Sequence, residues 1–344
     1  MKKEGSILKF LILAVIIYGL ISNFKIINIE IISSLKMWAT VLIPSLFPYL
    51  VISKYIVQNG FPNLFNPLKK LISKIFNIKS SSAEVFLCSL LCGYPCGAIC
   101  ASDIYEKGEI SKSEAMRLMC FTNGASPVFL ICAVGGMMLK NTGLGIMMYA
   151  VQTLSSAIVG FILGLFSEKE SLKKMESFEN IKSASLTECC EKSVDAIINI
   201  AGYIIAATAL GEVVLCLLSA FFGYSLYSEF TVYYFLEISK SMKLLSEYGS
   251  SDIVFALMCA CASFGGVSVI MQIFGVIDKS LKSFRFIIAR ISEAILSFIL
   301  GLLFIKFENI SFPDINPYPI VATSLIVSAT VFFLFLIRKK QTTL

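Results

Sequence analysis

The sequence predicts an all-α polytopic membrane protein, with about eight transmembrane helices and two re-entrant hairpins arranged as an inverted repeat. Three observations carry that expectation. Of 344 residues, 57% are hydrophobic and 15% charged, with a mean hydropathy of +0.82. A soluble domain carries about a quarter charged residues. Apolar runs of about 20 residues, the length that crosses a bilayer, recur along the chain. Two further runs are broken near their middles, one by Gly93-Tyr94-Pro95 and the other by Glu237, Lys240 and Lys243.

The same composition excludes other classes. So little charge cannot cover a water-soluble globule, and so apolar a chain is the opposite of a disordered one. The chain has eleven Cys and no His, so the commonest metal ligand and the usual neutral-pH base are missing. With no catalytic dyad, metal cluster or phosphate-binding Gly-Lys-Ser/Thr motif, an enzyme is not expected. A net charge of +6 without a basic cluster gives no support to a nucleic-acid partner. The expected partners are the lipid bilayer and a small solute, with no cofactor beyond a coupling ion, H+ or Na+.

Taken in order, the first span is 7–22, preceded by Lys2 and Lys3. Asn23-Phe24-Lys25 follows it where a small-residue cleavage site would stand, so it reads as a signal-anchor. The continuous spans that follow are 38–57, 116–139, 143–166, 196–222, 253–277, 286–305 and 320–337. Between 38–57 and 85–104, Leu68, Leu71, Ile72, Ile75 and Phe76 oppose Lys69, Lys70 and Lys74. That pattern predicts a helix lying on the cytoplasmic surface.

Charge orients the chain, because Lys and Arg favour short cytoplasmic loops. Lys107, Lys112, Lys279, Lys282, Arg285 and the terminal Arg338-Lys339-Lys340 all fall inside if 85–104 enters and leaves from the inside. By the same rule 230–245 enters from the outside, and both termini are cytoplasmic. The domain organisation expected is an N-terminal anchor (1–36), a first repeat with the inside hairpin (37–166) and a cytoplasmic loop (167–193). A second, inverted repeat with the outside hairpin (194–306) and a final span with a basic tail (307–344) complete it. Oppositely oriented halves with broken elements meeting near the midplane are characteristic of secondary transporters.

The candidate site residues sit at the breaks, because helix interruptions in a bilayer are tolerated only where protein or a watered cavity surrounds them. In the first half these are Gly93, Tyr94, Pro95 and Gly97, with Thr122, Asn123 and Ser126 from the stretch ending at Pro127. In the second half they are Glu237 and Ser239, then Ser263, Gly265, Gly266, Ser268 and Gln272. Plainer alternatives stand beside each: a kinked span, Asn and Ser as interhelical glue, small-residue packing, and Glu237 as a loop acid paired with Lys240 or Lys243. Arg290 and Glu293, one turn apart, are expected to pair structurally. Cys88, Cys92, Cys96 and Cys100 recur every four residues and read as packing residues, since zinc clusters use tighter pairs. Glu212 within 196–222 has no evident role.

Several of these motifs together resemble a known family. Pro44-Ser45-Leu46-Phe47-Pro48, Gly93-Tyr94-Pro95-Cys96-Gly97-Ala98, Tyr105-Glu106-Lys107-Gly108-Glu109-Ile110 and Phe121-Thr122-Asn123-Gly124-Ala125-Ser126-Pro127 are similar to the sporulation integral membrane protein family called YlbJ or SpoVV, which carries a gate, or nucleoside-recognition, domain. Glu237-Ile238-Ser239 resembles that family's Glu-Ile-Thr-x-Gly stretch, with Ser for Thr and Ser241 in place of Gly. Ser263-Phe264-Gly265-Gly266 with Gln272 resembles its second core motif. The resemblance implies a fold similar to concentrative nucleoside transporters, in which two hairpins and two partly unwound helices enclose the solute. It also implies a secondary transporter that moves dipicolinic acid, a small anionic solute, across the mother-cell-derived outer forespore membrane by alternating access. The alternatives are a nucleoside or other small-solute symporter and a non-transporting sporulation scaffold.

Overall fold

The computed structural model describes residues 2–59, 65–167, 185–249 and 251–307. All the regular structure among them is helical. The expected span 320–337, the basic tail and most of the central loop lie outside the described residues.

The chain opens with α1 (Lys2–Ser22) and α2 (Phe24–Met37), separated by one residue and bent by 85°. The anchor span is therefore followed by a second helix, which an apolar-run count alone does not reveal because Lys25, Glu30 and Lys36 interrupt it. A π-helical turn at Trp38–Leu42 leads into α3 (Ile43–Asn59). Next comes α4 (Asn66–Phe76), which meets α5 (Ser80–Cys92) at 100°. As the alternation of apolar residues and lysines predicts, α4 is amphipathic. It buries Ile72 and Phe76 but leaves Leu68, Leu71 and Ile75 exposed as a second apolar strip. Its Lys69 is buried and pairs with Glu84 at 2.6 Å.

The first broken run becomes α5 and α6 (Cys96–Glu106), which pack on each other across the three-residue break Gly93-Tyr94-Pro95. The expected span 116–139 is not one helix. It divides into α7 (Lys112–Met119), an extended stretch ending at Ser126, and a π-helical segment, Val128–Met138. Pro127 cannot donate to the helical ladder, which is the physical reason for the interruption. A continuous helix follows, α8 (Thr142–Leu165).

In the second half α9 (Leu186–Phe222) starts from a capping box between Ser185 and Glu188 and runs for 37 residues. At 1.5 Å per residue that is about 55 Å, well beyond the ~30 Å hydrocarbon layer. Helices α1, α2, α3, α10 and α13 all pack on it. The second broken run is α10 (Leu226–Leu236) and α11 (Ile238–Glu247), broken at Glu237. The expected span 253–277 is α12 (Asp252–Phe264) and α13 (Gly266–Val276), broken at Gly265. A 3-10 turn at Lys279–Leu281 precedes α14 (Phe284–Phe304). In that turn the half-buried Asp278 is held below the usual carboxylate range by the Ser280 hydroxyl and amide, while its own amide donates to Ser102 on α6 at 3.0 Å.

Among the described residues, α8, α9, the α12–α13 pair and α14 are long and apolar enough to cross a membrane. Four such spans become six if each of the two bent pairs counts as one. Helices α8, α12 and α14 pack closely together. A Cβ at Gly301 would lie 2.9 Å from Ala256 Cα, the kind of close approach that small residues give membrane helices.

Candidate functional site

In each half of the chain, the broken run rests on the other interruption. In the first half, Gly93 takes φ +69°, and a Cβ there would lie 2.4 Å from the Ser126 amide. A Cβ on Gly97 would lie 1.8 Å from the Thr122 carbonyl oxygen. Both positions accept glycine alone, because backbone meets backbone there. The contact is hydrogen-bonded as well as close. The Tyr94 amide donates to the Gly124 carbonyl at 2.8 Å. Asn123 accepts from the Ala98 amide at 3.0 Å and donates to the Met119 carbonyl at 2.8 Å. This side chain therefore bridges the start of α6 and the end of α7, and both its amide atoms are engaged within the protein. Ser126 accepts from the Phe129 amide at 3.2 Å, and Thr122 donates to the Leu118 carbonyl at 2.9 Å.

One further residue completes this half. Gln152 on α8 accepts from the Ala125 amide at 2.9 Å and donates to the Ala125 carbonyl at 3.0 Å. Its two bonds replace the helical ladder exactly where the chain is extended, a requirement set by the bilayer. The one side-chain amide in that span was the signal available in the sequence. Gln152→Leu leaves both Ala125 groups buried and unpaired, at about 1–3 kcal/mol each. The expected result is a thermal midpoint lowered by several degrees, read by the loss of monodisperse protein on heating.

In the second half, Gly266 takes φ +81°, and a Cβ there would lie 3.0 Å from the Leu236 carbonyl. The break between α10 and α11 therefore sits against the break between α12 and α13. Glu237 is 3% exposed and caps α11, accepting from the Ser239 and Lys240 amides at 3.0 and 2.8 Å. It is not the exposed acid paired to a lysine side chain that one alternative held. A carboxylate at a helix N-terminus is held by the first-turn amides. No side chain caps α13, and in its first turn the fully buried Ser268 hydroxyl makes no hydrogen bond. Gln272 is buried one turn further along.

A buried polar network supports the Gly265 break from behind. Arg290 donates to the Ser263 carbonyl and pairs with Glu293 at 2.9 Å, as the one-turn spacing predicts. Ser156 on α8 donates to Glu293. The hydroxyls of Ser263 and Ser297 lie 2.5 Å apart, and Ser297 donates to Ser155 at 2.8 Å. Three helices, α8, α12 and α14, are thereby joined by polar groups inside the apolar core. Of the candidates, Tyr94 alone keeps part of its surface; the rest are buried. The four Cys at 88–100 are free thiols packed in the core, with Cys96 and Cys100 sulfurs 3.8 Å apart.

Beside α11 lies a cleft of about 130 Å³ lined by Glu30, Glu229, Glu237, Ser239, Lys240 and Lys243 among others. Lys240 reaches Glu30 at 2.8 Å, Glu212 at 2.9 Å and Glu229 at 3.7 Å. Its ammonium stands 3.9 Å from the centre of the Tyr233 ring, whose hydroxyl donates to Glu212. This accounts for Glu212. Neither Glu30 nor Tyr233 was legible as a site residue, since the lysine they surround is remote in sequence from Glu30.

Apolar spanning helices, buried polar breaks and inward-facing charges define an all-helical integral membrane protein. No family model and no solved structure matches the chain. A curated relative does: the sporulation integral membrane protein YlbJ of Bacillus subtilis (strain 168), 24% identical over 331 residues, covering 85% of this chain and 80% of that one. That match supports placing the chain with YlbJ, in line with the resemblance its motifs carry.

Proposed function

We propose that the protein is a sporulation membrane transporter that moves dipicolinic acid across the outer forespore membrane by alternating access. The observation that carries this reading is the start of α13. An uncapped helix N-terminus attracts anions, and the buried Ser268 hydroxyl beside it has no partner within the protein. A pyridine dicarboxylate presents what those groups lack. Supporting it is the contact of break on break in both halves, which supplies the paired broken elements of a secondary transporter. The relative's name links the family to sporulation, and the family resemblance supplies the cargo.

In this reading Arg290 positions the Ser263 carbonyl at the end of α12, keeping the α12–α13 junction open toward the solute. Asn123 and Gln152 hold the first-half junction, and the solute enters as the two junctions separate. The acidic cleft beside α11 is unsuited to a dianion and takes no part in binding it.

The test is flux of radiolabelled dipicolinate in proteoliposomes. Wild-type protein is expected to move it, with excess uridine failing to compete, and Ser268→Ala is expected to reduce the flux about tenfold, the loss of one charge-assisted hydrogen bond. Flux of uridine instead would favour a nucleoside symporter. Flux of neither, from protein that is folded and correctly inserted, would favour the scaffold.

A further inference from the structure

We infer that α4 is a docking site for the acidic phospholipids of the leaflet it lies against, their headgroups held by Lys70 and Lys74 and their acyl chains covering Leu68, Leu71 and Ile75. The reading rests on the chain being embedded in a membrane and does not depend on its cargo. It starts from the direction of the helix. α5 is the first arm of the broken run, and α4 meets it at 100°. An arm that descends into the bilayer therefore leaves α4 lying close to the membrane plane.

The faces of α4 are sorted as such a position requires. At about 100° per residue, Lys69, Ile72 and Phe76 share one side of the helix, and all three are buried. Leu68, Leu71 and Ile75, 41–55% exposed, form a strip next to that side. Lys70 and Lys74, one turn apart and both exposed, lie about a third of a turn further round. An interfacial helix shows this order, with apolar residues in the acyl boundary and lysines at headgroup level.

The fold holds the strip outward. Phe76 packs on Phe86 and Phe121, with ring centres 4.9 and 5.2 Å apart. Arg117 donates to the Phe76 and Asn77 carbonyls at 3.2 and 2.6 Å. A Cβ at Gly164 on α8 would lie 2.6 Å from the Phe76 carbonyl oxygen, so backbone meets backbone there as well. The end of α4 is thus fixed, and its outer strip is left for a partner from outside the chain.

The charge on that outer side selects the partner. Lys69 is taken by Glu84 at 2.6 Å, whereas Lys70 and Lys74 have no hydrogen bond or ion pair among the described residues. Glu114 on α7 is engaged by the Lys79 amide and the Ser82 hydroxyl, at 2.8 and 2.6 Å. Two unanswered ammonium groups beside an apolar strip complement headgroups of net negative charge, and each such lysine adds to the attraction at an acidic membrane surface. A zwitterionic headgroup offers them no net charge. A second copy presenting the same helix would bring no acid to meet them, since α4 contains none.

The experiment titrates purified full-length protein in a neutral detergent with phosphatidylglycerol and, separately, with phosphatidylcholine, and counts bound lipid by native mass spectrometry. Phosphatidylglycerol is expected to bind in preference. Lys70→Gln/Lys74→Gln is expected to weaken its binding about tenfold or more and to leave that of phosphatidylcholine unchanged. Lys279→Gln/Lys282→Gln removes two exposed charges just before α14; it is the control and should bind as wild type does. All four positions are exposed, so both variants are expected to fold. Equal binding of the two lipids by wild type, undiminished phosphatidylglycerol binding in the α4 variant, or an equal loss in the control overturns the site. A dimer that Leu71→Ser converts to monomer would give the strip to a second copy and overturn it too.

Discussion

Gly97→Ala is expected to abolish solute movement and to lower the thermal midpoint by about 3–10 °C. The added methyl would sit 1.8 Å from the Thr122 carbonyl oxygen, and that oxygen belongs to backbone which no rotamer change can move aside. Overpacking of this kind costs about 1–3 kcal/mol, at about 2–4 °C per kcal/mol in a chain of this size. The first hairpin must therefore lift off the extended stretch, taking with it the Tyr94–Gly124 and Ala98–Asn123 hydrogen bonds. Gly202→Ala is the matched control, since nothing lies within 4 Å of a Cβ there. Parallel melting and flux measurements on the two variants check the expectation. Identical behaviour of both would show that the hairpin tip does not hold this approach.

Arg290→Met is expected to be the most destabilising single substitution outside the glycine contacts. Arg290 is 2% exposed, and its partner Glu293 is fully buried. Removing one member of a buried pair leaves the other uncompensated, at about 3–5 kcal/mol. Here the Ser263 carbonyl also loses its donor. The double variant Arg290→Met/Glu293→Gln removes the stranded charge and is expected to recover more than half of the loss. A double-mutant cycle on unfolding midpoints reads the coupling. Additive effects would mean that the pair does not act as a unit.

What was legible in the sequence follows from the range of the signal. The breaks at Gly93–Pro95, Glu237 and Gly265 could be read because Gly, Pro and intramembrane charge act on the backbone within a few residues. The Arg290–Glu293 pair was legible for the same reason, being one helical turn apart. By contrast, the extended stretch before Ser126 was foreseen as an interruption of a span, yet it divides that span into two separate helical pieces. Asn123 was foreseen as a site residue, but the partner it meets, Ala98 on α6, is set by how two segments dock. Gln152 and Glu30 escaped notice because their roles exist only in three dimensions. Helix α2 was hidden for a different reason: its charges mask it from an apolar-run count, and one of them, Glu30, lines a cleft made largely by the other half of the chain.

That arrangement has a consequence for how the protein is made. Glu30 and the Lys240 ammonium that it meets are separated by 210 residues. At about 5–20 residues per second, ribosomal synthesis would deliver the lysine some ten to forty seconds after the glutamate. Throughout that interval the L-shaped N-terminal arm waits at the membrane with its acid unanswered, and helices of the second half, α9 and α11, decide where it finally settles.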